Sequence, residues 1–165
     1  PDWYAGYVLN YVLGGGGFAS RLYEEVREKR GLAYSVYSYL YPLDHAAILM
    51  GGVGTKNESV VETLAVIKEQ IARLRDQGLT AGELANAKTF LNGSFPLRLT
   101  SSGRIARLLL AIQRENLGID YLDRRADLIN AVTLEDIDRV AKRLLRPEKL
   151  LIVVVGKPVG LSSSE

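Results

Sequence analysis

The sequence contains no cysteine and a single histidine, His45, among its 165 residues. Without cysteine, disulfide bonds and thiolate metal ligands are excluded, so redox chemistry gives no information on the compartment. A zinc site built from protein side chains normally takes three or four ligands from histidine, cysteine and carboxylates. We therefore expect no hydrolytic zinc centre within this chain, and we interpret His45 as a solvent-exposed turn residue. A Ser-His-Asp triad would have to use that same histidine, and no G-x-S-x-G motif is present.

The sequence also lacks long apolar runs and a large surplus of one charge. The longest apolar run, LLIVVV at 150–155, is far shorter than the ~20 residues that span a bilayer. The formal net charge is only +2, with basic and acidic residues interleaved, which is not typical of a nucleic-acid-binding surface. We expect a soluble protein with no membrane span and no nucleic-acid partner. The chain begins with Pro1, so it carries no information on export, and a bacterial-type cytoplasm and a periplasm both stay open.

The composition is that of one globular domain, with 47% hydrophobic and 24% charged residues. The strands predicted from alternation and turn signals come early and late, with a helical block between them. This order predicts an α+β fold, an antiparallel sheet packed on one face by helices. The predicted strands are 32–41, 46–54 and 148–156, and the predicted helices are 2–14, 18–30, 60–75, 80–96, 101–114, 119–131 and 133–145.

Three strands make a thin sheet for so many helices. We therefore expect further strands upstream of Pro1 and interpret the chain as a domain truncated at its N-terminus. Residues 1–156 are assigned to this single domain, and residues 157–165 to a frayed tail. No linker and no internal repeat is detected.

The predicted helix 101–114 combines basic residues with an apolar stripe. Such a stripe can contact a membrane, but it more often marks the side of a helix that faces the core. We interpret it as core-facing. The stripe consists of Ile105, Leu108, Leu109 and Ile112.

Four consecutive glycines, residues 14–17, lie between the first two predicted helices. Glycines before a helix can expose backbone N–H groups to a phosphate. The dinucleotide-binding and P-loop patterns, however, need a strand directly before the glycines, and neither pattern fits. Nucleotide binding is therefore a poor option. The glycines indicate either a tight link between two helices or an adaptable loop beside a ligand.

The stretch REKRGLAY, residues 27–34, places Arg27 at a predicted helix end and Tyr34 at a strand start, with Gly31 as the left-handed cap between them. Arginine offers five donors in a rigid fork, and tyrosine offers a neutral O–H. Two such donors directed at one oxygen would bind a peptide carbonyl or stabilise an oxyanion. The alternative is structural, with Arg27 covering its helix end and Tyr34 packing on the sheet. Chemistry alone favours this alternative and leaves the sheet face of Tyr34 undetermined.

The block LGGGGFASRLYEEVREKRGLAYSVYSYL, residues 13–40, is very similar to a stretch of the pitrilysin, insulin-degrading enzyme and mitochondrial processing peptidase family of zinc proteases. A weaker resemblance covers nearly the whole chain, including VGTKNESVVETLAVIKEQI and ELANAKTFLNGSFPLRLTSSGRIA. The match is to the second kind of domain in that family, which is called inactive because it lacks the inverted zinc motif H-x-x-E-H. This sequence also lacks that motif. The resemblance implies an antiparallel sheet backed by helices.

The resemblance implies that Arg27 and Tyr34 hold the substrate backbone and help to stabilise the tetrahedral intermediate. It also implies that zinc, the expected cofactor, is held by a sister domain or partner subunit rather than by this chain. We predict the substrate-binding half of a zinc-dependent metalloendopeptidase that acts on peptides or unfolded polypeptides and is inactive alone. The alternative is a non-proteolytic structural or interaction subunit of the same fold. Residues matching the family's substrate-recognising glycine loop are Gly14, Gly15, Gly16 and Gly17.

Overall fold

The computed structural model describes residues 2–43 and 45–162 of the chain. The predicted α+β class is confirmed, because an antiparallel pair of strands is followed by a block of helices. Pro1, Asp44 of the predicted turn and residues 163–165 of the predicted tail lie outside the described residues. The strands are β1 (Ala33–Pro42) and β2 (Ala47–Thr55), and the α-helices are α1 (Trp3–Asn10), α2 (Val60–Gln77), α3 (Ala81–Gly93), α4 (Ser102–Arg114), α5 (Tyr121–Asn130) and α6 (Leu134–Leu144).

Two π-helical stretches flank the glycines. The first, Tyr11–Gly15, continues directly from α1, and the second, Tyr23–Glu28, contains Arg27. Gly14 and Gly15 belong to the first stretch, and Gly17 begins a short 3₁₀ turn, Gly17–Ala19. Residues 20–22 lead from this turn into the second stretch. π-Helical turns are rare in proteins, and those that do occur are frequently found at functional sites.

The sheet is a two-stranded antiparallel pair within the described residues. The register runs from Ala33 opposite Thr55 to Pro42 opposite Ala47, with an irregularity between Ala33 and Ser35. The helices cover one face, because α1 and both π-helical stretches pack against β1. The uncovered face of β1 carries a row of exposed tyrosines, Tyr37, Tyr39 and Tyr41.

The core lies between β1 and the surrounding helices. Aliphatic side chains from α1, both π-helical stretches and four of the other helices pack together there. Fully burying one such side chain contributes about 1.5–3 kcal/mol, so this cluster supplies most of the stabilisation of the fold. Its most deeply buried members include Val8, Val26, Leu74, Ile129, Ile137 and Val140.

The predicted buried strand at 148–156 is wrong. Residues 150–155 form no strand, and Leu151 and Val155 are 92% and 96% exposed. The reason is the lack of a partner: among the described residues the sheet consists of β1 and β2 alone, and a strand needs a neighbour for its backbone N–H and C=O groups. The segment is apolar, but the prediction that it is buried is wrong.

The predicted core-facing stripe of helix 101–114 is also wrong. The helix forms as α4, and the Ser101 side chain caps it, yet none of its residues is buried. Leu109 is 52% exposed. An amphipathic pattern shows that one helix face avoids water, but not which surface covers it. In the part of the chain described here, α4 packs mainly on the 3₁₀ turn Phe95–Leu99 before it. Neither α4 nor any other described helix has the length and apolar composition required to cross a membrane.

Candidate functional site

The turn at Gly31 brings the end of the Arg27 helix next to the start of β1. Gly31 adopts the predicted left-handed conformation, with φ of 61°. Its N–H donates to the Arg27 carbonyl at 2.9 Å, and the Leu32 N–H donates to the Val26 carbonyl at 2.9 Å. These two hydrogen bonds end the helix and reverse the chain within a few residues. A side chain with a Cβ would be strained at this φ, which explains the glycine.

A β-bulge decides the position of Tyr34. The register shifts between Ala33 and Ser35, and both Ala33 and Val36 are buried. Strict alternation would place Tyr34 on the covered face together with Val36. The extra residue instead leaves the Tyr34 side chain 83% exposed. Bulges re-aim side chains in this way and are common next to functional sites.

The guanidinium of Arg27 lies between two tyrosine rings. Its Cζ is 4.8 Å from the centroid of the Tyr23 ring and 5.1 Å from that of the Tyr34 ring. Both distances fall within the ~6 Å range of cation–π contacts. Tyr23 is buried and forms the fixed side of this arrangement, whereas Tyr34 forms the exposed side. The structure thus brings Arg27 and Tyr34 into contact.

Tyr23 is the residue of this site that the sequence analysis missed. It precedes Arg27 by four residues in the same helix, and residues at this spacing lie on one helix face. That spacing was the available signal. An aromatic residue four positions before an arginine is too common, however, to be selected without knowledge of what the arginine does.

The neighbouring charges leave Arg27 without an ionic partner. Lys29 Nζ lies 2.9 Å from a carboxylate oxygen of Glu24 and 2.7 Å from one of Glu25, and Arg30 also pairs with Glu25. The hydrogen bonds from Lys29 and Arg30 lower the pKa of Glu25, so its carboxylate is ionised and fully engaged. Within residues 2–43 and 45–162 the half-buried guanidinium of Arg27 makes no hydrogen bond and no ion pair.

The glycine segment is held against β1 by a buried polar contact. Ser38 Oγ donates to Asn10 Oδ1 at 2.8 Å. Gly14 is buried beside it, and a Cβ at Gly14 would lie 2.6 Å from Ser38 Oγ and 2.7 Å from the Ser38 backbone nitrogen. Gly14 therefore allows the close approach of helix and strand. This packing explains why the position carries no side chain.

The other three glycines reach the surface of the protein. Gly15 and Gly17 are exposed, and Gly16 is half-buried. Phe18, the next residue, is 78% exposed, and its ring meets the Tyr23 ring edge-on with centroids 4.8 Å apart. Phe18 thus links the end of the glycine segment to the Tyr23 ring, over which Arg27 lies.

No described residues form a group that fits a zinc ion. Among residues 2–43 and 45–162, no three His, Cys, Asp or Glu side chains lie close enough together to bind one metal ion. His45 is exposed in a bend. The donor set that zinc prefers is therefore not assembled in the part of the chain that the structure describes.

The comparisons with known proteins agree on one family. The family model of the peptidase M16 inactive domain matches residues 1–91. The chain is 35% identical over 153 residues to a Bacillus subtilis protein named uncharacterized zinc protease YmxG, covering 89% of this chain and 36% of that protein. It is 42% identical over 91 residues to the non-peptidase homolog YmxG of Helicobacter pylori, covering 55% of this chain and 21% of that protein.

The fold is shared with a solved structure of the same family. The crystal structure of a peptidase M16 inactive domain from Pseudomonas fluorescens superposes with a TM-score of 0.80 at 35% identity. The match covers 90% of this chain and 35% of that one. This chain therefore spans only about a third of the length of both the Pseudomonas fluorescens and the Bacillus subtilis proteins.

Proposed function

Because the chain belongs to the family of the peptidase M16 inactive domain, we propose that it is the substrate-binding half of a zinc-dependent metalloendopeptidase. The substrate is a peptide or an unfolded polypeptide. Zinc is held by another region of the same polypeptide or by a partner subunit. Two findings support this division: relatives named zinc proteases are far longer than this chain, and the described residues lack a zinc donor set.

The observation that carries the proposal is the unpaired guanidinium of Arg27. Stacking between Tyr23 and Tyr34 limits its rotamers, and its hydrogen-bond donors remain free in the described structure. A group that is fixed before it binds loses less conformational entropy when the ligand arrives. In our proposal the rigid fork of Arg27 donates to a backbone carbonyl of the peptide.

Tyr34 supplies the second donor in this proposal. Its side chain is exposed beside Arg27, so its hydroxyl is accessible to a bound peptide. The O–H donates to the oxygen that gains negative charge when the scissile carbonyl is attacked. A metal activates the attacking water in zinc peptidases. The contribution of this chain is to bind the peptide, orient it and stabilise the oxyanion.

The glycine segment and the sheet provide the surface for the rest of the peptide. Gly15, Gly16 and Gly17 lack side chains, so a peptide backbone can lie close to them. Gly14 is buried and supports this surface only through its packing on Ser38. Extended peptides commonly pair with a sheet edge, and each strand of the described two-stranded sheet has an unpaired edge.

The test uses the full-length polypeptide together with its zinc-bearing part. We expect Tyr34→Phe to lower kcat/KM for a cleaved peptide by about 10²–10³, the usual effect of removing one oxyanion donor. Arg27→Ala should lower it by about 10- to 150-fold, because a hydrogen bond from a charged group contributes about 1.5–3 kcal/mol. Arg107→Ala is the matched control, because Arg107 is an exposed arginine of α4 outside this site. Wild-type kcat/KM in both site variants would refute the proposed roles.

A second function is supported by one relative. The Helicobacter pylori protein is named a non-peptidase homolog, and it is 42% identical to this chain over 91 residues. By this alternative the chain is a non-proteolytic interaction subunit with the same fold. It predicts that the full-length protein hydrolyses no peptide and that Arg27→Ala leaves its affinity for peptides unchanged.

A further inference from the structure

A recess of about 180 Å³ lies between α1, the glycine segment and the end of α3. Its walls include the rings of Tyr11 and Phe90, whose centroids are 5.1 Å apart. Tyr11 is buried, whereas Phe90 is 53% exposed and Arg98 is also exposed, so the Tyr11 ring lies at the base of the recess and Phe90 and Arg98 lie at its rim. The volume is below the ~300–1,000 Å³ of pockets for drug-sized ligands, so it suits a single side chain.

Polar groups converge on this recess without an anion among them. Arg98 Nη2 lies 3.5 Å from the Tyr7 hydroxyl, its one polar contact within the described part of the chain. Ser94, with its hydroxyl, also lines the recess. An exposed arginine that touches only a phenol keeps most of its donors for another acceptor.

The charged residues in the sequence around Phe90 and Arg98 are all basic. Residues 84–114 contain no Asp and no Glu. Arg104, a near neighbour of Arg98, donates to the Leu97 carbonyl and the Thr100 hydroxyl, which are neutral acceptors. Elsewhere arginines are neutralised, as Arg139 is by Asp2 and Asp136. The basic residues of the stretch are Lys88, Arg98, Arg104, Arg107 and Arg114.

We infer that this recess is a subsite for one carboxylate side chain, Asp or Glu, of the bound peptide. The methylene groups of that side chain contact Tyr11 and Phe90, and its carboxylate accepts hydrogen bonds from Arg98 and the Tyr7 hydroxyl. The inference rests on the proposed function, because Gly15 and Gly16 line the recess and also belong to the proposed peptide surface. It adds a substrate class, namely peptides with an acidic residue at one fixed position.

The experiment measures peptide affinity with the full-length protein. The probes are short unstructured peptides with a single Glu placed at each position in turn, each paired with an otherwise identical Gln peptide. We expect one Glu peptide to bind about tenfold more tightly than its Gln partner, because a charged acceptor forms stronger hydrogen bonds than a neutral one. Added salt should reduce this ratio, since the Arg98 side chain is exposed.

Charge reversal at two arginines separates the subsite from a general positive field. Arg98→Glu should bring the Glu-to-Gln affinity ratio to one or below. Arg107→Glu makes the same charge change on α4, does not line the recess, and should keep the wild-type ratio. The subsite is overturned by a wild-type ratio of one at every position, or by equal loss of the ratio in both variants.

The two proposals fail in different ways. If no peptide of either series binds the wild-type protein, or if Arg27→Ala changes neither affinity nor kcat/KM, the proposed function itself is wrong. If Glu and Gln peptides bind equally well and Arg27→Ala weakens both, only the acidic subsite is wrong.

Discussion

Two arginines of this protein stack on aromatic rings with different consequences. Arg125 lies over the Phe95 ring, with Cζ 4.1 Å from the centroid, and its Nη1 donates to the Leu91 carbonyl. It is buried and has a structural contact for its charge. Arg27 is stacked between Tyr23 and Tyr34 but lacks such an acceptor in the described structure. Stacking orients both guanidinium groups, and only that of Arg27 is left to bind a ligand.

The Tyr23 ring should matter more for function than the Tyr23 hydroxyl. Tyr23→Leu removes the fixed side of the stack, and we expect a 2- to 30-fold loss of kcat/KM, about 0.5–2 kcal/mol for a cation–π contact. Tyr23→Phe keeps the ring and should stay within about twofold of wild type. Steady-state kinetics of the full-length protein measure both effects.

A purely structural role for Tyr23 would give a different pattern. Because Tyr23 is buried, Tyr23→Leu also lowers stability, which urea unfolding measures separately. If the folded Tyr23→Leu protein keeps wild-type kcat/KM despite its lower stability, Tyr23 does not position Arg27.

At this scale the sequence singled out Arg27 and Tyr34, but it could not predict their geometry. Arginine and tyrosine can be recognised from the sequence as hydrogen-bond donors, and Gly31 marks the turn between Arg27 and Tyr34. The exposure of Tyr34 depends on the bulge after Ala33, which is a property of how β1 pairs with β2. Pairing register is a tertiary feature, so simple alternation left the face of Tyr34 open.

The residues that cap the N-terminus of α3 also make a tertiary ion pair. The Thr80 side chain accepts a hydrogen bond from the Glu83 backbone N–H, and the Glu83 side chain accepts one from the Thr80 backbone N–H. Glu83 also accepts hydrogen bonds from Arg21 Nε at 2.7 Å and Arg21 Nη2 at 2.8 Å, which tie α3 to the helix carrying Arg27. The cap can be recognised in a four-residue sequence pattern. The ion pair between Arg21 and Glu83 joins residues that are 62 positions apart in the sequence, so it depends on the tertiary fold.

The stability of this junction should depend on pH. Burial raises the pKa of Glu83, but hydrogen bonds from Arg21 and Thr80 outweigh it and lower the pKa from 4.5 to about 2. A pKa depressed in the folded state means that the ionised form favours folding. The contribution of Glu83 is therefore complete above about pH 4.5 and is lost as the pH falls towards 2.

The measurement is urea unfolding of the wild type and Glu83→Gln across this range. We expect a difference in unfolding free energy that is constant near neutral pH and narrows from pH 4.5 downwards. The matched control is Glu135→Gln, since Glu135 is exposed in the first turn of α6 and makes no hydrogen bond in the described structure. A Glu83→Gln difference that does not change with pH would contradict this assignment.

Over the whole molecule, the core is smaller than the hydrophobic pattern predicted. Segment 150–155 and the apolar face of α4 look like core in the sequence, yet both are largely exposed here. An apolar side chain gains free energy when it is removed from water. The hydrophobic pattern of a sequence does not show which helix or strand covers that side chain, because this depends on the elements present in the fold. The predicted fold class is confirmed, but segment 150–155 and the apolar face of α4 are not covered by other elements among the described residues.

Substitutions in segment 150–155 should consequently cost this chain little stability. We expect the triple variant Leu151→Lys, Val153→Lys, Val155→Lys to change the free energy of unfolding by less than about 0.5 kcal/mol, as is usual for surface positions. Ile137→Ala is the contrast, because Ile137 is fully buried and its truncation should cost about 2–5 kcal/mol. Urea unfolding of the 165-residue chain measures both, and a large loss in the triple variant would show that the segment is buried in solution.

The central claim is that Arg27 and Tyr34 act on the same part of a bound peptide. A double-mutant cycle of Arg27→Ala and Tyr34→Phe on kcat/KM tests it most directly, with the same cycle on unfolding free energy accounting for their mutual contact. We predict that the double variant loses little more activity than the worse single variant, because either loss already disrupts the shared interaction. Fully multiplicative losses, or no loss at all, would contradict the claim.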